Sequence, residues 1–171
     1  MCINMVITYL EIFKEFLTKT TFKGKMIGID CYSANNFERV LGYMYGHNDR
    51  FMHGIKLLEK YVKDRYTIHE MGSPYPFFSL YFYIKKSCIV LCSDIYDRKW
   101  EFSSSMSFKQ INLCTVEELP VVDIAICSEV LEHLPCNLFK VRDKVLKSCK
   151  YALFSFPMGD VGLNIKLNNE V

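Results

Sequence analysis

The sequence predicts an α/β domain, a mainly parallel sheet wound on both faces by helices. Three observations point there. Short apolar runs recur from Thr67 onward, at Thr67–Met71, Cys88–Cys92, Gln110–Cys114, Val121–Cys127 and Tyr151–Phe156. Helical patterns fall between several of them, at Pro76–Tyr83 and Asn137–Cys149, and such alternation gives parallel strands joined by right-handed crossovers. The chain is also long and apolar enough for a core: 171 residues, 50% hydrophobic and 15% aromatic, which excludes a disordered segment.

Each element has its own signal. Residues 3–18 place Met5, Val6, Leu10, Ile12, Phe13 and Phe16 at helical spacing. Residues 18–49 are less regular, with a short strand at Met26–Asp30 and a helix at Asn36–Tyr45. Arg50–Val62 is a second amphipathic helix, with Met52, Ile55, Leu57, Leu58 and Tyr61 on its apolar side. Residues 1–49 therefore read as an N-terminal helical extension and residues 50–171 as the main domain. The strand Val121–Cys127 turns at Ser128 into a short helix, Glu129–Leu134, which Pro135 ends. Asn137 is placed to cap the next helix. Ser103–Ser107 reads as a loop, and the strand at Tyr151–Phe156 stops before Pro157.

Composition excludes several partners. A net charge of +2, with no basic run longer than Lys85-Lys86, predicts no nucleic-acid ligand. Glu11, Lys14 and Glu15 break the apolar N-terminus, so neither a signal peptide nor a membrane span is expected, and the expected location is cytoplasmic. The eight cysteines contain no Cys-x-x-Cys pair and are expected to be reduced thiols, with no metal site.

In a sheet of this class ligands gather at the carboxyl ends of the strands. The first strand ends in Glu70-Met-Gly72-Ser73, where a glycine lets backbone pass close to a ligand. Pro74 and Pro76 follow, removing two N–H donors that a pyrophosphate cradle would need, so NAD and nucleotide binding are disfavoured. The second strand ends in Asp94, about 20 residues on, where a carboxylate can accept hydrogen bonds from ribose hydroxyls. Ile95 comes next and offers an apolar surface to a base.

The stretch Asp123-Ile-Ala-Ile-Cys127-Ser-Glu129-Val-Leu-Glu132-His133-Leu134 resembles the fourth strand of class I, Rossmann-like S-adenosylmethionine (SAM)-dependent methyltransferases, in particular the type 11-like group. Their usual form there is close to Asp-(apolar)3-Cys-x-Glu-Val-Leu-Glu-His-(apolar). Glu70 and Gly72 resemble their first motif, Asp/Glu-x-Gly-x-Gly-x-Gly, with Pro74 and Pro76 in place of the later glycines. Ile111 to Pro120 resembles their stretch after the third strand. The resemblance spans roughly Arg50 to Met158.

The resemblance implies strand order 3-2-1-4-5 and SAM as cofactor. Glu70, Gly72 and Ser73 would lie on its methionine side, Asp94 on the ribose and Ile95 or Tyr96 against the adenine. Thr115 or Asn112 would meet the adenine amino group, and Ser128 with Glu129 would form the neighbouring wall. His133 is the candidate general base, sharing a helix face with Glu129. The implied reaction is methyl transfer to a small-molecule or saccharide-like acceptor; the alternative is a non-catalytic methyltransferase-like interaction module. The family's sheet has seven strands, and residues 157–171 look too short for the last two. Either the chain is a truncated product with its fifth strand uncovered, or another element covers that edge. The expectation is a chain that alone is either marginally stable and self-associating through the fifth strand, or inactive.

Overall fold

The computed structural model describes residues 11, 13, 21–22, 40, 42–97, 100–157 and 163–169. At its centre are five parallel strands: β2 (Thr67–Met71), β3 (Ile89–Asp94), β5 (Met106–Gln110), β6 (Val122–Ser128) and β7 (Cys149–Pro157). They lie side by side as β5-β3-β2-β6-β7, the expected order 3-2-1-4-5. Alternate residues divide the core in two. Ile68, Val90, Ile124, Ile126 and Leu153 pack against α1 (Asn48–Leu58) and α2 (Ser79–Lys86). On the opposite face Met71, Ala125, Cys127, Ala152 and Phe154 pack with Val141 and Val145 of α3 (Leu138–Lys147). Period-two alternation with apolar residues on both sides is what a sheet covered twice requires.

Asn137 caps α3 as expected, its side chain accepting from the Phe139 and Lys140 amides at 3.0 and 3.3 Å. At the amino ends of the strands Asp123 ties three together. It accepts from the Thr67 amide and hydroxyl, both at 2.9 Å, and from Lys150 Nζ at 2.6 Å.

The edges differ from expectation. β8 (Leu163–Asn169) pairs antiparallel with β7, from Tyr151 opposite Asn169 to Pro157 opposite Leu163. The fifth parallel strand is therefore covered, which corrects the open edge and removes the reason for self-association through it. The signal was present: Leu163, Ile165 and Leu167 alternate with Asn164, Lys166 and Asn168, a strand pattern that a tail judged by length alone conceals. At the other edge β1 (Thr21–Phe22) pairs antiparallel with β4 (Trp100–Ser103), and β4 pairs antiparallel with β5. The third parallel strand is thus Met106–Gln110 rather than Gln110–Cys114, and the serine-rich segment forms the β4–β5 turn. Met106 is fully buried, and Phe108 packs against the same core.

Helices also move. α2 begins at Ser79, because Pro76 and the aromatic residues after it form the turn that enters it. Glu129–Leu134 is not an α-helix; only Leu131–His133 is helical, as one 3-10 turn. Residues 40 and 42–46 are helical, one residue past the end of the expected Asn36–Tyr45 element. Of the expected N-terminal helix, residues 11 and 13 are helical, and the rest lies outside the described residues, as does the strand at Met26–Asp30. Phe13 and Met44 belong to the same core as α1.

Cys114 and Cys136 form a disulfide, their Cα atoms 5.7 Å apart. This corrects the expectation of reduced thiols at those two positions. Residues 22 apart in sequence meet because the β5–β6 loop folds back over the segment that follows the 3-10 turn. Cys88, Cys92, Cys127 and Cys149 are free and buried, as small core residues. Among the described residues no helix is long and apolar enough to cross a membrane.

Candidate functional site

Glu70 is an acid pointed into protein. It is 2% exposed, and its carboxylate accepts from the Phe78 amide at 3.2 Å, the Ser79 amide at 2.9 Å and the Ser79 hydroxyl at 2.6 Å. Those are donors of the first turn of α2, which have no carbonyl partner within the helix. Burial pushes the Glu70 carboxyl up to about 7, against the hydrogen bonds from Ser79, Phe78 and Ser73 that pull it down. Glu70 therefore organises the Gly72–Phe78 loop rather than lining open space.

The loop is anchored by its rings. Phe77 stacks on Phe51 of α1 with centroids 5.2 Å apart, and Phe78 meets Phe51 edge-on at 5.1 Å. Gly54 makes room: a Cβ there would lie 2.5 Å from Phe78 Cε1. Pro74 and Pro76 thus stiffen a loop whose aromatic side chains are buried in the core. Ser73, 8% exposed, donates its amide to the Ser93 carbonyl at 3.0 Å and its hydroxyl to the Tyr75 carbonyl, joining the ends of β2 and β3.

Gly72 has φ +64°, and a Cβ on it would sit 2.5 Å from Val130 Cγ2. Backbone strain and that collision add. Gly72→Ala is expected to destabilise the fold by about 2 kcal/mol in urea denaturation, and a loss below a few tenths would refute the packing account.

Asp94 ends β3 with 8% exposure, one carboxylate oxygen accepting from the Tyr96 amide at 3.2 Å. Beyond it Ile95 and Tyr96 are each about half exposed, at 50% and 49%. The Ile95 carbonyl is held by Gln110 Nε2 at 2.8 Å. Past β5 a hollow of about 490 Å³ opens, lined by Gln110, Asn112, Thr115, Val116 and Leu119 among others. Asn112 shapes its loop, accepting from the Cys114 amide at 2.9 Å, whereas Thr115 is exposed. Lys144 of α3 holds the same loop by the Leu113 carbonyl at 3.1 Å and by the Val116 carbonyl.

At the end of β6, Ser128 shares a 2.6 Å hydrogen bond with Ser155, and the Glu129 amide donates to the Ser155 carbonyl at 2.9 Å. Glu129 has φ +52°, a left-handed conformation uncommon for a residue with a side chain. That kink, and the absence of an α-helix, separates it from His133. The expected Glu129–His133 face does not form. His133 has a side chain 76% exposed, its Nε2 reaching Glu132 at 4.0 Å. Glu129 pairs with Arg50 of α1 instead.

Arg50 is the residue that sequence reasoning missed. Its side chain is 7% exposed, Nη2 donates to the Tyr43 hydroxyl at 2.7 Å, and the guanidinium lies 4.9 Å from the Phe51 ring centroid. An arginine at the start of an amphipathic helix gives no hint of a partner from β6. His69 is fully buried, its Nε2 2.8 Å from Ser93 Oγ. Burial, with some contribution from Lys109, pushes it down to about 4.

The structure therefore brings Gly72, Ser73, Asp94, Ile95, Ser128 and Glu129 to the carboxyl ends of neighbouring strands. Glu70 lies beneath them, Thr115 at the β5–β6 loop and His133 outside on the turn after β6.

No family model matches the sequence, and no curated protein matches it. Solved structures do. Coclaurine N-methyltransferase bound to N-methylheliamine and S-adenosylhomocysteine (SAH) aligns with TM-score 0.53 at 11% identity, over 90% of this chain and 51% of that one. The N-terminal domain of EvdMO1 with SAH bound aligns with TM-score 0.51 at 11% identity, over 61% and 48%. A chain of the Haloferax volcanii complex that contains the Trm112 methyltransferase activator aligns with TM-score 0.54 at 14% identity, over 67% and 56%. The chain spans about half the length of the structures it matches. At these identities the likeness shows the fold alone: the chain shares the α/β architecture of these solved structures.

Proposed function

We propose that the chain binds SAM at the carboxyl ends of β2, β3 and β6 and transfers its methyl group to a small-molecule acceptor. One observation carries the reading. Asp94 puts a carboxylate at the end of the second parallel strand beside exposed Ile95, in a fold whose solved examples hold SAH. The donor set suits an adenosyl group. A carboxylate can take the paired ribose hydroxyls, Ile95 offers an apolar face, and Asn112 or Thr115 supplies polar atoms toward the hollow beyond β5. Gly72 and Ser73 present backbone on the methionine side, with Ser128 and Glu129 as the wall.

When bound, SAM supplies a methyl group on a sulfonium. The chain's task is then alignment and exclusion of water, and positioning alone can contribute about 7–11 kcal/mol to barrier reduction. His133 faces solvent, so water competes for any proton it would take.

Calorimetry with SAM, SAH and NAD tests the reading. SAM and SAH are expected to bind and NAD is not. Asp94→Ala is expected to weaken SAM binding by about 1.5–3 kcal/mol, the usual worth of a hydrogen-bonded charged group. A folded parent that ignores both SAM and SAH would end this reading. SAM binding with no methyl transfer to any acceptor would favour a non-catalytic module.

A further inference from the structure

We propose that Tyr43, His47, Arg50 and Glu129 form the methyl-acceptor site, that it takes a neutral planar hydroxyl compound of the phenol class, and that His47 accepts the hydroxyl proton. The proposal rests on the methyltransferase reading and extends it to the acceptor.

The four groups come from two parts of the chain and meet over the carboxyl end of the sheet. Glu129 follows β6, and its neighbour Val130 lies on Gly72. From the other side Arg50 pairs with Glu129 and donates to the Tyr43 hydroxyl at 2.7 Å. The Tyr43 ring, thus fixed at its hydroxyl, is still 41% exposed. The half-buried His47 ring packs on it with centroids 4.4 Å apart and planes at 53°. Tyr43, His47 and Arg50 have no part in binding SAM, and Glu129 borders its methionine end as the shared wall of the two sites.

The chemistry narrows the acceptor. Arg50 and Glu129 cancel each other's charge, so a charged acceptor would lose hydration without gaining an unpaired counter-ion, whereas a neutral one would not. Adjacent Tyr43 and His47 rings offer a surface on which a planar ring can stack. A free amine needs no base to attack a methyl group, but a hydroxyl must lose its proton. His47 is suited to take it. Its pKa is lowered first by burial and then by Arg50, against an opposing pull from Glu129, so the imidazole is neutral at neutral pH. The groups facing it are Tyr43 from the preceding helical residues, Arg50 from α1 and Glu129 from the β6 turn. In the step, the acceptor oxygen forms its bond to the methyl carbon while the carbon–sulfur bond breaks. The bonding pair leaves with sulfur, and the hydroxyl proton moves to His47.

Two measurements on the full chain test this. First, long-range ¹H–¹⁵N spectra of the four histidines are recorded during titration with phenol, benzoate or benzylammonium, with and without SAH. Phenol is expected to move the His47 ring signals, and each charged analogue to bind at least about tenfold more weakly, since an unpaired charge must be desolvated. Unmoved His47 signals, or tighter binding of a charged analogue, would overturn the proposal. The titration without SAH reads the acceptor site directly, so failure of SAM binding and failure of this site are separate results. Second, methyl transfer from SAM to catechol is followed against pH. His47→Gln keeps the backbone carbonyl that receives the Phe51 amide, so α1 is retained. It is expected to lower kcat on the order of 100-fold and to remove the acid limb of the profile, with SAM affinity unchanged. A His47→Gln rate within about threefold of the parent, short of the smallest general-base effect, would overturn the assignment, as would a collapse caused by His133→Gln but not by His47→Gln.

Discussion

Replacing Glu70 by Ala is expected to lower the unfolding free energy by about 3–5 kcal/mol, because it leaves three buried donors without an acceptor. The carboxylate holds the Phe78 amide, the Ser79 amide and the Ser79 hydroxyl, and Ser79 is fully buried. Each donor left without a partner costs about 1–3 kcal/mol. The loss should spread beyond α2, because the same turn seats Phe77 and Phe78 against Phe51. Glu70→Gln should cost less, since its amide oxygen still accepts from Ser79. Urea denaturation of the three proteins gives the comparison. A loss of under about 1 kcal/mol for Glu70→Ala would mean that water replaces the carboxylate, and that the loop is not organised by it.

The legible parts of this chain were those set by pattern alone. Ile124 and Ile126 on one face of β6, with Ala125 and Cys127 on the other, follow from a run apolar on both parities, and strand order came with the Glu129–His133 motif. Asn137 was legible as a cap because capping acts over three residues. What stayed hidden depends on contacts far apart in sequence. Arg50 meets Glu129 over the carboxyl end of the sheet, and Cys114 meets Cys136 only because the β5–β6 loop folds back. The motif itself misled at one point. Glu-Val-Leu-Glu-His reads as helical, but the left-handed backbone at Glu129 and the bond from its amide to Ser155 redirect the chain, separating Glu129 from His133. The Glu70 loop was placed correctly at a strand end, yet its acid serves the helix start and its aromatic residues serve the core.

Neighbours on one strand, Glu70 and His69 should also leave a signature in the pH dependence of stability. The Glu70 carboxyl is raised from its ordinary 4.5 to about 7 by burial, so the native chain holds that proton more tightly than the unfolded one. Its contribution to stability is present below 4.5 and is lost as pH rises to about 7. His69 is lowered from 6.5 to about 4, again by burial first, so the native chain holds its proton less tightly. That contribution is present above 6.5 and is lost as pH falls toward 4. Between 4.5 and 6.5 the native chain carries the proton on Glu70 and the unfolded chain carries it on His69. The bound protons match, so the two slopes cancel. Glu70→Gln should therefore uncover the His69 slope; relative to the parent it adds about 3 kcal/mol of stability from pH 4.5 to 7, the window in which Glu70 binds its proton differently. His69→Gln should uncover the opposite one; relative to the parent it removes about 3 kcal/mol from pH 4 to 6.5. Urea denaturation at half-unit pH steps, read as variant minus parent, isolates each group. Parallel curves for parent and both variants would show that neither proton is bound differently in the folded chain, and the opposed pair would not exist.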